Sequence, residues 1–115
     1  MDNMEMTREK AILEIYRTSN KYGLTTCEQW RSDIPGIQHE KDGYINITIN
    51  EIDVPGSYDA DHQTIKKRLV VSGNVCHMNP NSDVDELLRA ANEIQQGALF
   101  ILAMQRLDII WTQAI

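Results

Sequence analysis

The stretch ALFILAMQRLDIIWTQAI, from Ala98 to Ile115, decides how the fold is interpreted. Its first seven residues are apolar, and Arg106 and Asp108 are its only charged residues. The periodicity that leads into it predicts one long helix, beginning near Ser82, where Ser82 and Asp85 resemble a capping box. At about 1.5 Å per residue this helix would run roughly 45 Å, longer than a domain of this size is wide.

The predicted helix carries two apolar stripes on opposite sides. We expect the first stripe to pack on the protein's own sheet; it comprises Val84, Leu87, Leu88, Ala91, Ile94 and Ala98. The second stripe comprises Phe100, Met104, Leu107 and Trp111. A helix that is apolar almost all round must be covered all round. The second stripe therefore predicts a contact between subunits of a homo-oligomer, and the alternative is that the N-terminal helix of the same chain covers it.

The first half of the sequence predicts helices followed by strands. Thr7 is a suitable N-cap for a helix over about 7–22, and Gly23 a suitable stop. Thr25 with Glu28 predicts the start of a second, short helix. In YINITIN, residues 44–50, the isoleucines alternate with polar residues and so share one face of a half-buried strand.

Two turn signals divide the strand region into hairpins. Asp42-Gly43 is typical of a tight hairpin turn, and Gly73-Asn74 predicts another after the strand TIKKRLVVS. The expected fold is therefore a single α+β domain over 1–115. It has a small antiparallel sheet of about four strands in two hairpins, packed with an N-terminal helix and a long C-terminal helix.

The composition limits the classes of partner. Acidic residues outnumber basic ones by 17 to 11, for a formal net charge of −6. This balance disfavours broad binding to nucleic acid or to anionic membranes. Cys27 and Cys76 fit neither a disulfide framework nor a zinc motif, and the polar N-terminus does not resemble a signal peptide. We therefore expect a cytoplasmic protein.

Catalytic and metal-binding motifs are absent from the sequence. The acidic loop with Asp53, Asp59 and Asp61 offers carboxylates to a cation, but its spacing matches no calcium-binding loop, and a solvated loop is the preferred interpretation. No nucleophile elbow, zinc-protease motif or phosphate-binding glycine loop occurs. We expect no enzyme activity, no cofactor and no resident metal.

Lys66-Lys67-Arg68 is the only basic run. Lys66 and Arg68 share one face of a strand, and together with the start of the last helix they are a candidate site for an anionic small molecule. The alternative is a charged strand that blocks unwanted pairing. Our leading hypothesis is a non-enzymatic oligomeric interaction protein that inhibits or assists a macromolecular partner, of the kind found among bacterial or phage accessory and inhibitor proteins. The second is a protein that captures an anionic, nucleotide-like ligand near a subunit interface.

Overall fold

The computed structural model describes residues 5–24, 44–75 and 83–115 in full and residues 26–27 and 36–38 by their backbone. The fold is α+β, as predicted. Its helices are α1 (Arg8–Lys21) and α2 (Val84–Leu107), and its strands are β1 (Thr26–Cys27), β2 (Gly36–Gln38), β3 (Ile45–Asp53), β4 (Thr64–Val75) and β5 (Ile110–Ala114).

The strands form one antiparallel sheet in the order β1-β2-β3-β4-β5. The long pair is β3 with β4, whose register runs from Ile45 opposite Val75 to Asp53 opposite Lys67. After α2 the chain returns as β5, which pairs with the first part of β4, from Thr64 to Arg68. The two helices lie against one face of this sheet, because the residues of the core come from both helices and from alternate positions of β3 and β4.

The alternation of YINITIN gives the sheet its buried face, as predicted. Ile45, Ile47 and Ile49 are almost fully buried, and Leu69 and Val71 of β4 join them in the core. Successive residues of a strand point to opposite faces, so the side chains between them lie on the other, outer face of the sheet. This outer face carries Asn50, Ile52, Lys66 and Arg68.

Helix α1 begins and ends where the sequence predicts. The Thr7 hydroxyl accepts a hydrogen bond from the backbone N–H of Lys10 at 3.2 Å, which satisfies one of the free donors of the first turn. Gly23, with a φ of 69°, follows the end of the helix. Ala11 and Ile15 are completely buried against the rest of the core, so α1 covers part of the sheet.

Helix α2 is shorter than the sequence predicts. Asp83 caps it, because its side chain accepts from the backbone N–H of Glu86 at 2.8 Å; Ser82 lies outside the described residues. The helix ends at Asp108, which adopts the left-handed conformation at φ 45° and ψ 65°. Residues 110–114 then form β5, because the β-branched and aromatic residues Ile110, Trp111 and Thr112 pair with the free edge of β4.

The predicted turn at Gly73-Asn74 is wrong. Both residues lie inside β4, opposite Ile47 and Asn46 of β3. A Cβ on Gly73 would meet the Ile101 Cδ1 atom at 2.8 Å and the Asn46 carbonyl oxygen at 2.9 Å. Glycine is therefore required here because α2 and β3 approach the strand closely, and not because the chain turns.

The number of strands and hairpins also differs from the expectation of about four strands in two hairpins, which is not confirmed. The hairpin that the structure describes joins β3 to β4 through residues 54–63. The turn predicted at Asp42-Gly43 lies outside the described residues. The second helix predicted from Thr25 is wrong at Thr26 and Cys27, which pair with Ile37 and Gly36 as β1, because this pairing overrides the local capping signal.

Candidate interaction surface

The four residues predicted to form the oligomer contact do not form an exposed stripe. Phe100 is completely buried and Met104 nearly so, both in the core between α2 and the sheet. Trp111 is also buried in this core, but it belongs to β5, because the helix ends before it. Leu107 alone is exposed, at the last turn of α2. The self-association that these residues were expected to mediate stays a prediction.

The opposite face of α2 points to solvent. This outer face consists of residues that share one side of the helix, namely Val84, Leu88, Ala91, Gln95, Ala98 and Leu102. Val84 is 69% exposed, Leu88 64% and Leu102 41%. Two more exposed leucines, Leu87 and Leu99, lie at its margins. Of the stripe that we expected on the sheet, only Ile94 packs against the core, and its other five residues are exposed.

Close packing explains why the two stripes exchange roles. Gly97 of α2 lies directly over Ile45 of β3, where an added Cβ would be only 2.7 Å from the Ile45 Cδ1 atom. The helix therefore approaches the sheet along the side that contains Gly97, and Phe100 and Met104 lie on this same side. The backbone N–H of Tyr44 donates to the Glu93 carboxylate, and Gln105 Nε2 donates to the Val71 carbonyl at 3.2 Å. These contacts fix which side of α2 remains outside.

The outer face follows the turns of α2. Its residues follow one another at intervals of 4, 3, 4, 3 and 4 positions, so that 18 positions cover five turns. This mean spacing of 3.6 residues is the period of the α-helix itself, and it keeps the six residues on one side along the length of the helix. A helix that rests on a sheet has the same spacing, so the sequence pattern alone did not distinguish the outer face from the side that contacts the sheet.

The charges at the two ends of α2 have opposite sign. Asp85 and Glu86 lie in its first turn, next to the Asp83 cap, and Arg106 lies in its last turn. Each end complements the helix dipole, so both arrangements stabilise α2 itself. The same distribution gives the outer face an acidic end and a basic end, and this polarity matters for the direction in which a second helix can pack.

Lys66 and Arg68 share one face of β4, as predicted, and this is the outer face of the sheet. The prediction that the start of the last helix lies beside them is wrong. Arg68 Nε lies 3.3 Å from the Oδ1 atom of Asp108, the residue that caps the C-terminal end of α2. The start of α2 is a whole helix length of about 36 Å away. The carboxylate and the carbonyl end of the helix dipole disfavour an anion there. The buried Arg68 Nε makes no hydrogen bond within the part of the chain that is described.

The acidic loop is organised by its own hydrogen bonds. The Asp59 carboxylate accepts from the backbone N–H groups of Asp61 and His62, and its Oδ2 atom lies 2.8 Å from His62 Nδ1. The side-chain hydrogen bond to His62 is the main cause that lowers the pKa of Asp59, and the two backbone bonds add to it. Asp53 is engaged elsewhere, with Lys67 Nζ at 2.5 Å. In the described ranges, no three His, Cys, Asp or Glu side chains converge as metal ligands would.

Comparison with known proteins does not assign this surface, since the chain matches no protein-family model, no curated protein and no solved structure. Neither α1 nor α2, the helices of the described residues, combines the length and the apolar character that a membrane span requires. The candidate function therefore rests on the geometry of α2 and of the sheet beneath it.

Proposed function

We propose that this protein is a non-enzymatic interaction protein that binds a macromolecular partner through the outer face of α2. The single observation that carries the proposal is the row of exposed side chains from Val84 to Leu102, which are apolar except for Gln95 and have the exposed Leu87 and Leu99 at their margins. Exposed apolar residues scattered singly need no explanation, but a contiguous patch rimmed by polar residues marks an interaction site. Here the rim includes Asp85, Arg89 and Asn92, which are all exposed.

The rest of the fold serves as a rigid support for this helix. Phe100 and Met104 anchor α2 to the sheet on its inner side, so the outer face needs no folding step before it binds. A surface that is already ordered loses less conformational entropy on association than a flexible segment would. A partner inhibited or assisted by this protein would therefore meet a preformed helix in the manner of helix-in-groove recognition.

The cellular compartment belongs to the same proposal. We propose a cytoplasmic protein, since two cysteines without disulfide or zinc spacing suit a reducing environment. The excess of acidic residues supports a protein partner over nucleic acid, because acidic surfaces repel phosphates.

Site-specific photo-crosslinking tests the proposed surface. A photoreactive phenylalanine analogue replaces Leu88 on the outer face or Leu13 on α1, a control leucine that is similarly exposed at 60%. The protein is then irradiated in the cells that express it. We expect a discrete protein adduct from position 88 that disappears when Leu102→Glu is added, and no such adduct from position 13. Equal crosslinking at both positions, or none at either, would refute the proposal.

A second candidate function is the capture of an anionic small molecule at Lys66 and Arg68. The observation that favours it is the Arg68 Nε atom, which is buried and makes no hydrogen bond to the described residues, although it forms an ion pair with Asp108. The nearby Asp108 carboxylate opposes it. Isothermal titration with inorganic phosphate and with a nucleoside monophosphate tests it. Binding that weakens by about 10-fold or more in Arg68→Ala supports this function, and unchanged binding or no binding rejects it.

A further inference from the structure

We infer that the occupant of the outer face of α2 is a second copy of this chain, packed as an antiparallel helix pair. This inference rests on the proposed function, because it names the partner of the same surface. The outer face is a ridge of exposed side chains that runs along α2 from Val84 to Leu102, and such a ridge, here called the seam, fits a second helix packed along its length. The question is which helix, and in which direction.

The sizes of the side chains on the seam are self-complementary when two copies run antiparallel. A two-fold axis close to residue 93 places Val84 opposite the partner's Leu102, Leu88 opposite the partner's Ala98 and Ala91 opposite the partner's Gln95. Each layer then combines a larger side chain with a smaller or shorter one, so that the layers interdigitate. A two-fold pair repeats every such contact twice, which is the arrangement most common among homo-oligomers.

The charges at the ends of α2 select the antiparallel direction. In an antiparallel pair the acidic first turn, with Asp83 and Asp85, lies toward the partner's Arg106. In a parallel pair the acidic turns lie side by side, and so do the arginines. Opposite charges favour encounter and fix the direction of packing, whereas like charges oppose it. The two helix dipoles are also antiparallel in the favoured arrangement.

The available area is sufficient for a dimer of moderate affinity. The exposed parts of the seam and of its marginal leucines amount to roughly 500 Å² per chain, so that a pair buries on the order of 1,000 Å² in total, near the lower limit of specific interfaces. The outer face lies opposite the side of α2 that contacts the sheet. Two copies would therefore pack helix against helix in the centre, with their sheets on the outside.

Light scattering coupled to size-exclusion chromatography tests the association on the purified protein over roughly 1–500 µM, the range that suits an interface of this size. We expect the parent chain to shift from monomer to dimer with rising concentration. Leu88→Glu and Leu102→Glu each place two buried carboxylates in the seam and should raise the dissociation constant by at least about 100-fold. Leu13→Glu is the matched control and should leave the dissociation constant unchanged.

Disulfide trapping tests the direction of packing in a Cys27→Ser, Cys76→Ser background. A mixture of Leu88→Cys and Ala98→Cys chains should form a mixed disulfide on mild oxidation, because facing positions bring their Cα atoms within about 7 Å. Leu88→Cys alone should not form dimers readily, since its two copies lie about 15 Å apart along the axis of the antiparallel pair. Efficient self-linking of Leu88→Cys would indicate a parallel pair and overturn the inferred direction.

These experiments distinguish failure of the second-copy inference from failure of the proposed function. A parent chain that is monomeric throughout the concentration range overturns the second-copy inference. If photo-crosslinking at position 88 then joins the chain to a different protein, the proposed function stands and its partner is that protein. If neither association nor an adduct is found, both the inference and the proposed function fail. A Leu88→Glu variant that does not fold, as judged by circular dichroism, leaves Leu102→Glu to decide the inference by the same measurement.

Discussion

The two sides of α2 are both apolar, but they differ in the kind of contact for which they are built. The inner side combines a glycine, a phenylalanine and a methionine, so that the helix backbone can approach Ile45 while large side chains fill the space beside it. The outer side carries valine, leucine and alanine together with Gln95, and it stays exposed. Apolar content therefore does not decide which side of this helix packs on the sheet, and steric fit does.

The two sides of α2 should differ most in the free energy of unfolding that is lost when one large residue on each side is truncated. Phe100→Ala removes a completely buried side chain and leaves a cavity, so we expect the free energy of unfolding to fall by about 3–5 kcal/mol. Leu88→Ala on the outer side should change it by less than about 0.5 kcal/mol at concentrations where the chain is monomeric. Urea denaturation of dilute protein measures both. Similar losses in the two variants would show that the outer side is also packed in the monomer.

The close approach of Gly97 to Ile45 predicts a smaller loss of stability, which a second substitution should partly restore. Gly97→Ala places a Cβ about 2.7 Å from Ile45 Cδ1 and 3.0 Å from Ile45 Cγ2. Overpacking outweighs the helix propensity gained from alanine, so we expect a net loss of about 1–2 kcal/mol. In Gly97→Ala/Ile45→Val the nearer clash is absent, and the double variant should be more stable than the sum of the single changes predicts. Additive losses would indicate that the two residues do not meet, and denaturation of all three variants decides this.

An ion pair between α1 and β3 should contribute less to the stability of the fold. Arg8 Nε donates to Glu51 Oε2 at 3.0 Å, which ties the start of α1 to the end of β3. Both side chains are about three-quarters buried, so Glu51→Gln should cost about 1 kcal/mol at low salt and less in high salt. Denaturation at two ionic strengths measures the difference. A loss that is independent of salt would point to packing of the side chain as its source.

The smallest effect on stability is expected in the acidic loop between β3 and β4. Hydrogen bonds from His62 lower the pKa of Asp59 in the folded protein, so the ionised carboxylate stabilises the native state. A lowered folded pKa gives a contribution that is present above the unfolded pKa, about 3.9, and is lost as the pH falls through the folded pKa. Asp59→Asn should therefore be slightly less stable than the parent at neutral pH and equal to it at low pH, with unchanged association. A difference that persists at the lowest pH would contradict this assignment.

Local patterns in the sequence were sufficient for much of the fold. The cap at Thr7, the stop at Gly23 and the alternation from Ile45 to Ile49 each depend on neighbouring residues, and each is confirmed. The acidic loop is also local, since Asp59 bonds to residues only two and three positions away. Elements of this kind can be predicted because the physical cause lies within a few residues of its effect.

The predictions that proved wrong concern residues whose conformation depends on contacts with residues distant in the sequence. Gly73 has the composition of a turn, but it is fixed inside β4 by the approach of Asn46 and Ile101. Trp111 continues the helical stripe in the sequence, but pairing with β4 makes it part of a strand. The choice between the two sides of α2 likewise depends on Ile45, a residue 52 positions before Gly97. None of these contacts has a signature in the local sequence.

The inner side of α2 is buried within the chain, and the outer side is exposed and is proposed to bind a partner. Thiol labelling measures the exposure of both sides at once. Leu88→Cys and Met104→Cys are prepared separately in the Cys27→Ser, Cys76→Ser background and treated with a thiol reagent under native conditions. In dilute solution we expect the cysteine at position 88 to react nearly as fast as a free peptide thiol and the cysteine at position 104 at least about 100-fold more slowly, since it must wait for unfolding. Raising the protein concentration should slow the labelling of the cysteine at position 88 and leave that at position 104 unchanged. Rapid labelling at position 104 together with protection at position 88 in dilute solution would show that the buried and exposed sides of α2 are assigned the wrong way round.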